Sequence, residues 1–185
     1  MNYCLWYHIP DENSSFTADS FKIVCNFSTK EDVDIIFKYF TLEWFKKGFY
    51  IVTKTGYSPV LEDNKNSNSI SFISFMENKH TKQFSAFLLW KSLMYALVNK
   101  SLLNSKYSHE SVIAIKSTPK ASGKVTFNIW ITNDIYVYNC REIISNNFHN
   151  NNIHYMVLIK HNPNPYRFSN NNEKIQRSSE MKKLL

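Results

Sequence analysis

Apolar and polar positions change period several times along the chain, and the changes mark out its elements. Tyr3 to Ile9 is dense in aromatic and β-branched residues and predicts a strand. Phe21, Ile23, Cys25 and Phe27 alternate with Lys22, Val24 and Asn26, the period-2 pattern of a half-buried strand. Ser28-Thr29-Lys30-Glu31 reads as a capping box, with Ser28 as cap and Glu31 reaching back. The helix that follows puts Val33, Ile36, Phe37 and Phe40 on one face and Lys30, Asp34 and Lys38 on the other. Phe49–Lys54 and Ile70–Met76 predict further strands, joined by a loop punctuated at Gly56 and Pro59.

Lys82–Lys100 predicts the longest helix, and its apolar residues run nearly all the way round. A helix lying on one face of a sheet needs only one apolar stripe, so the excess predicts a second contact surface, either another helix or a partner protein, with Trp90 placed on it. Ser111–Thr118 and Lys124–Thr132 predict two strands around the turn Pro119–Gly123. On the second of them Thr126, Asn128 and Trp130 share one side, opposite Phe127 and Ile129. A third helix is expected from Asn133 or Asp134 to about Asn147, and a last strand over Ile153–Lys160.

The resulting order, β-β-α-β-β-α-β-β-α-β, predicts an α+β fold: an antiparallel sheet with its helices on one face and a concave site on the other. One domain is expected over residues 1–161, followed by a mobile, basic tail rich in Asn and Lys over 162–185.

Composition narrows the function. The 185 residues are 43% hydrophobic and 16% aromatic, enough for a single core, and the net charge of +7 favours a polyanionic partner such as nucleic acid. Cys4, Cys25 and Cys140 are odd in number and far apart, which reads as reduced cysteines of an intracellular protein. No Cys/His cluster has metal-ligand spacing, and no apolar run is long enough to cross a bilayer. Nucleophile elbows, phosphate-cradling glycine loops and zinc-protease motifs are lacking, so a binding protein is expected rather than an enzyme, with no cofactor.

The stretch Ser58-Pro59-Val60-Leu61-Glu62-Asp63 carries the sharpest expectation. Pro59 fixes φ in a turn that aims Glu62, whose carboxylate can accept from the edge of a purine. Phe16 and Trp130 offer rings to stack on or wall the base, and Lys116, Lys120 and Lys124 offer charge for phosphates.

In order and spacing, five stretches resemble the messenger-RNA cap-binding family of translation initiation factor 4E. They are Cys4-Leu5-Trp6-Tyr7, Phe16-Thr17-Ala18, Phe27 to Asp32, Lys54 to Asp63, and Phe127 to Thr132. The resemblance spans about residues 3–160. It implies a curved sheet of about seven or eight antiparallel strands, backed on its convex face by three helices, and binding of 7-methylguanosine in the cytoplasm. By position, Phe16 matches the first of two rings that sandwich the methylated base in the family. Glu62 matches the base-reading glutamate, Trp130 the ring that meets the methyl group, and Lys120 and Lys124 the phosphate contacts.

This chain departs from the family pattern twice. Leu61 stands where the second sandwiching tryptophan belongs, which removes one cation–π face worth about 0.5–2 kcal/mol. Asp34 stands where the family has a tryptophan that docks a helical peptide of the scaffold factor 4G and of repressors. A partner surface of Val33, Phe37, Trp90, Met94 and Val98 around Asp34 is expected instead. The alternative to a capped-mRNA binder is a protein-interaction module of the same fold that has lost the cap.

Overall fold

The computed structural model describes residues 1–8, 17–60, 63, 67–75, 85–120, 122–132 and 155–159; for 67–75, 85 and 155–159 only the backbone is described. Its strands are β1 (Tyr3–His8), β2 (Lys22–Phe27), β3 (Phe49–Lys54), β4 (Ser67–Phe75), β5 (Val112–Pro119), β6 (Lys124–Thr132) and β7 (Tyr155–Ile159). They form one antiparallel sheet in the order β2-β1-β3-β5-β6-β4-β7. The helices are α1 (Lys30–Tyr39), α2 (Leu42–Lys47) and α3 (Ser85–Val98). The helix expected over 133–147 lies outside the described residues.

Alternation on the central strands divides two cores. Leu5, Val52, Ile115, Phe127 and Ile129 meet Val33 of α1, Phe45 of α2 and Trp90 and Leu93 of α3 on one face. On the other, Phe21, Ile51, Ile113, Ala114 and Trp130 form a smaller cluster. Two bulges adjust the faces, each inserting one unpaired residue that re-aims a side chain. In β2, Leu5 pairs with Cys25 and Trp6 with Ile23, leaving Val24 as the extra residue. In β5, Val112 pairs with Ile131 and Ala114 with Trp130, so Ile113 and Ala114 both reach the smaller cluster.

The start of α1 lies one residue from where the sequence predicts it. Thr29 is the N-cap: its Oγ1 accepts from the Asp32 N–H at 3.1 Å, while Asp32 Oδ2 accepts from the backbone N–H of Thr29 at 3.0 Å and of Ser28 at 2.8 Å. The reciprocal carboxylate is therefore Asp32, not Glu31, because the box runs three residues on from Thr29. The sequence reading also misses α2. Its signals are Thr41, whose Oγ1 accepts from the Trp44 N–H at 3.4 Å, the spacing of Leu42 and buried Phe45, and Gly48 just past the end.

Side-chain hydrogen bonds fasten the helices to the sheet. The Tyr3 hydroxyl donates to the Leu97 carbonyl at 3.1 Å, and the Tyr50 hydroxyl to the Trp44 carbonyl at 2.8 Å. α3 ends in a Schellman arrangement, with Ser101 N–H bonded to Ala96 O at 2.9 Å and Lys100 N–H to Leu97 O at 3.1 Å. Lys100 takes the left-handed position at φ 53°.

Candidate functional site

The face opposite the helices is built from alternate residues of four strands. Ala114 pairs with Trp130 and Lys116 with Asn128, so Lys116, Asn128 and Trp130 project from the same side. The Trp6 indole N–H donates to Thr53 Oγ1 at 2.8 Å, satisfying a buried hydroxyl on that side. Trp130 is only 3% exposed. Its ring is a floor within the smaller core rather than the open wall expected for it.

The turn after β3 sits on this floor. Tyr57 and Val60 pack against the cluster that contains Trp130, and Pro59 is buried. Gly56 supplies a φ of 93°, which lets the Tyr57 N–H return to the Lys54 carbonyl at 3.1 Å. Ser58 Oγ accepts from the Val60 N–H at 3.2 Å and donates to Asp63 Oδ2 at 2.8 Å. The Asp63 N–H bonds the Val60 carbonyl at 3.3 Å. The chain is thus pinned at Val60 and again at Asp63, on either side of 61–62. Asp63 is part of the turn's own hydrogen bonding, a role the sequence reading does not assign it.

Phe16, Leu61 and Glu62 lie outside the described residues. The three lysines expected to meet phosphates are described, and the fold does not bring them to one point. Lys116 is half-buried, with Nζ 5.9 Å from the Phe49 ring centroid, and lies two ladder steps from Trp130. Lys120 and Lys124 are exposed at the β5–β6 turn, where the Lys120 N–H bonds the Lys124 carbonyl at 2.8 Å and Gly123 has φ 79°. Six residue steps along β6 separate Lys124 from Trp130, roughly 20 Å of strand.

The helix side corrects the expected partner surface. Val33, Trp90 and Met94 are wholly buried, and Phe37 and Val98 are half-buried against the same core. Trp90 lies between Phe45 and Phe127, with both ring centroids 6.4 Å away. Trp90 therefore meets this chain's own α2 and β6, the first of the two expected alternatives, while Leu88 of α3 is exposed. Asp34 is exposed as expected and accepts a hydrogen bond from the Tyr95 hydroxyl. Burial, and then the Asp34 carboxylate, push the Tyr95 hydroxyl up to about 12.

Further exposed apolar residues lie on α1, α2 and β2. Ile35 (58% exposed) and Tyr39 (76%) of α1, Trp44 (54%) of α2 and the bulged Val24 (52%) of β2 line a groove of about 500 Å³ over Tyr7 and Phe40. Sequence reasoning missed it because Ile35 and Tyr39, an i,i+4 pair, fall beside the apolar face of α1 and not on it. Among the described residues no group of His, Cys, Asp and Glu could hold a metal ion, and no helix is long and apolar enough to cross a membrane.

No protein-family model and no curated protein matches the chain by sequence. Among solved structures it is similar to Ascaris suum eIF4E-3 with m7G cap, with a TM-score of 0.59, 16% identity and 72% of each chain covered. C. elegans eIF4E-3 with the 4E-binding protein Mextli and cap analog gives a TM-score of 0.57 at 18% identity, over 72% of each chain. Schistosome eIF4E complexed with m7GpppA and 4E-BP gives 0.55 at 17%, over 72% of this chain and 70% of that one. The architecture is thus an eIF4E-like α+β fold.

Proposed function

We propose that this protein binds the 7-methylguanosine 5′ cap of mRNA on the sheet face opposite the helices and delivers capped mRNA to translation initiation, in the cytoplasm, through a protein partner on the helix side. It is a binding function with no catalytic step and no cofactor. The observation that carries the reading is the turn seated on the Trp130 cluster and pinned at Val60 and Asp63. Glu62 follows Val60 by two residues in the sequence, at most about 7 Å of chain, and in this reading its carboxylate serves that cluster. Solved structures of this fold are complexes with m7G cap, m7GpppA or a cap analog, and with 4E-BP or Mextli, which supports a reading that includes both a cap and a protein partner.

Within this reading Glu62 accepts from the guanine edge, Phe16 stacks on the base and Leu61 gives apolar contact. Lys116, two ladder steps from Trp130, would meet a first phosphate, and Lys120 and Lys124 stand further along for later phosphates or nucleotides. A second reading, favoured by Leu61 in place of a ring, keeps the fold and the protein partner without the cap.

Retention on immobilised 7-methyl-GTP separates them. Elution by 7-methyl-GTP but not by GTP, together with loss of retention in Glu62→Ala, is the expected result. Equal retention of Glu62→Ala refutes the site, and no retention of the unaltered chain leaves the second reading.

A further inference from the structure

One end of the sheet gathers cations. β1 ends there at His8, which pairs with Phe49 at the start of β3, and β2 starts there at Lys22. β5 and β6 meet there in the turn that carries Lys120 and Lys124. α2 reaches the same end, because Lys47 lies two residues before Phe49. Lys22, Lys47, Lys120 and Lys124 are exposed, and among the described residues none of the four forms an ion pair. Elsewhere Lys54 and Lys100 share Glu110, and Lys91 faces Asp34. Of the described carboxylates, only Asp19 just before β2 and Glu43, 3.4 Å from Lys46, belong to the lysine-rich end.

Two rings at this end each carry an ammonium. Lys116 Nζ lies 5.9 Å from the Phe49 ring centroid, and Lys47 Nζ lies 5.8 Å from that of Trp44. Phe49 is half-buried and shares the side of β3 that Ile51 turns toward Trp130, while Trp44 of α2 is exposed. We propose that single-stranded RNA beyond the cap crosses this end of the sheet, from Lys116 and Phe49 to Lys47 and Trp44, with the lysines on its phosphates and the rings on its bases. The proposal rests on the cap reading above for where the RNA begins. Lys116 stands two ladder steps from Trp130, and Phe49 follows Lys47 by at most about 7 Å of backbone, so the two ring–ammonium pairs lie in succession along one path.

Ring and cation together select the ligand. A single strand offers a phosphate to each ammonium and a flat base to each ring, a pairing that tolerates any sequence. An acidic peptide supplies the charge without the flat faces. A second copy of this chain brings a net charge of +7, which has the wrong sign. Stacking a base on Trp44 also removes from water a ring that the fold leaves exposed. Lys22, Lys120 and Lys124 add to the positive field at this end and draw the strand toward it without reading its bases.

The test uses the full chain and three ligands labelled with fluorescein at the 3′ end and read by anisotropy: the dinucleotide m7GpppA, a capped RNA of about 12 nucleotides that begins with it, and the same RNA uncapped. The capped RNA is expected to bind at least about fivefold more tightly than the dinucleotide at low salt, with the gain shrinking as salt rises. Lys47→Gln should weaken the capped RNA and reduce the slope of log affinity against log salt by about 0.7, the share of one phosphate contact on a single strand. Trp44→Ala should weaken it at least about fivefold with the slope unchanged. Neither variant should move the dinucleotide by more than about twofold. Lys106→Gln, at an exposed lysine in the α3–β5 connection, should leave all three ligands unaffected, with circular dichroism confirming that each variant is folded. Equal binding of dinucleotide and capped RNA, indifference of the capped RNA to Lys47→Gln and Trp44→Ala, or an equal loss with Lys106→Gln overturns the proposal. If the cap adds nothing to the affinity of the RNA, the cap reading fails by itself and the uncapped RNA still decides the path. Its weakening by Lys47→Gln and Trp44→Ala but not by Lys106→Gln supports the path, and no such weakening overturns it.

Discussion

The Ser58 hydroxyl donates to the Asp63 carboxylate at 2.8 Å, bridging the two residues that bracket Val60, Leu61 and Glu62. The bond is exposed, so it contributes little to global stability, but it ties together the two ends of the turn within which the base-reading carboxylate is expected.

Replacing Ser58 by Ala removes that bond and the acceptor for the Val60 N–H. One or two such bonds are worth about 0.5–1.5 kcal/mol each. Affinity for 7-methyl-GTP, followed by quenching of intrinsic fluorescence, is expected to fall roughly three- to tenfold with the melting temperature nearly unchanged. An unchanged affinity would detach the turn from the site.

Gly48 is required by close approach and not by its backbone angle, since φ −161° is ordinary extended chain. A Cβ there would lie 2.3 Å from Tyr7 Cε2 and 2.8 Å from the His8 carbonyl oxygen. The Tyr7 ring is stacked on Tyr50 at 4.9 Å and cannot swing away without losing that contact. Gly48→Ala should cost about 1–3 kcal/mol. In a chain of this size that lowers the thermal midpoint by roughly 2–12 °C, measurable by calorimetry.

Lys100 holds the left-handed position at the end of α3, where a side chain costs about 1 kcal/mol relative to glycine. Its contact with Glu110 at 3.7 Å is exposed and weak. Lys100→Gly is therefore expected to stabilise the fold, raising the urea midpoint without changing the slope.

Trp90 tests the corrected helix side. Among the described residues its buried indole Nε1 has no hydrogen-bond partner, and the ring fills the space between Phe45 and Phe127. Trp90→Ala should cost about 3–5 kcal/mol. Trp90→Phe, which removes the unsatisfied N–H, should cost much less and leave the surface unaltered. A Trp90→Phe variant with full stability and lost partner binding would restore the tryptophan to the surface.

The N-terminus of α1 carries a pH dependence. Backbone N–H groups of Ser28 and Thr29 hold the Asp32 carboxyl below its ordinary value of 3.8. A depressed carboxylate contributes stability that is present above the unfolded value and lost as pH falls through the folded one. The melting temperature of Asp32→Asn should accordingly fall less than that of the unaltered chain between pH 6 and pH 3.

Much of the sheet was legible in the sequence. Phe49–Lys54 and Lys124–Thr132 coincide with β3 and β6, because side chains on a strand alternate every second residue and the pattern of β6 alone places Trp130 opposite Phe127. The α1 cap was legible to within one residue, since capping is a local contest among neighbouring hydroxyls and carboxylates. The proline turn before Glu62 was legible for the same reason: its bonds run within six residues of chain.

What the sequence by itself determined, then, was where strands and helices form and which side of a regular strand each residue takes. Only the tertiary structure decided which way α3 faces. A helix apolar all round has no unique buried stripe, and Trp90 is oriented by Phe45 and Phe127, residues far from it in the chain. The bulges at Val24 and Ile113 were likewise settled by pairing with neighbouring strands. So was the partner of Asp34, a hydroxyl 61 residues away. Local periodicity carries no information about such meetings, because they are selected by the free energy of closing the whole core and not by any one segment.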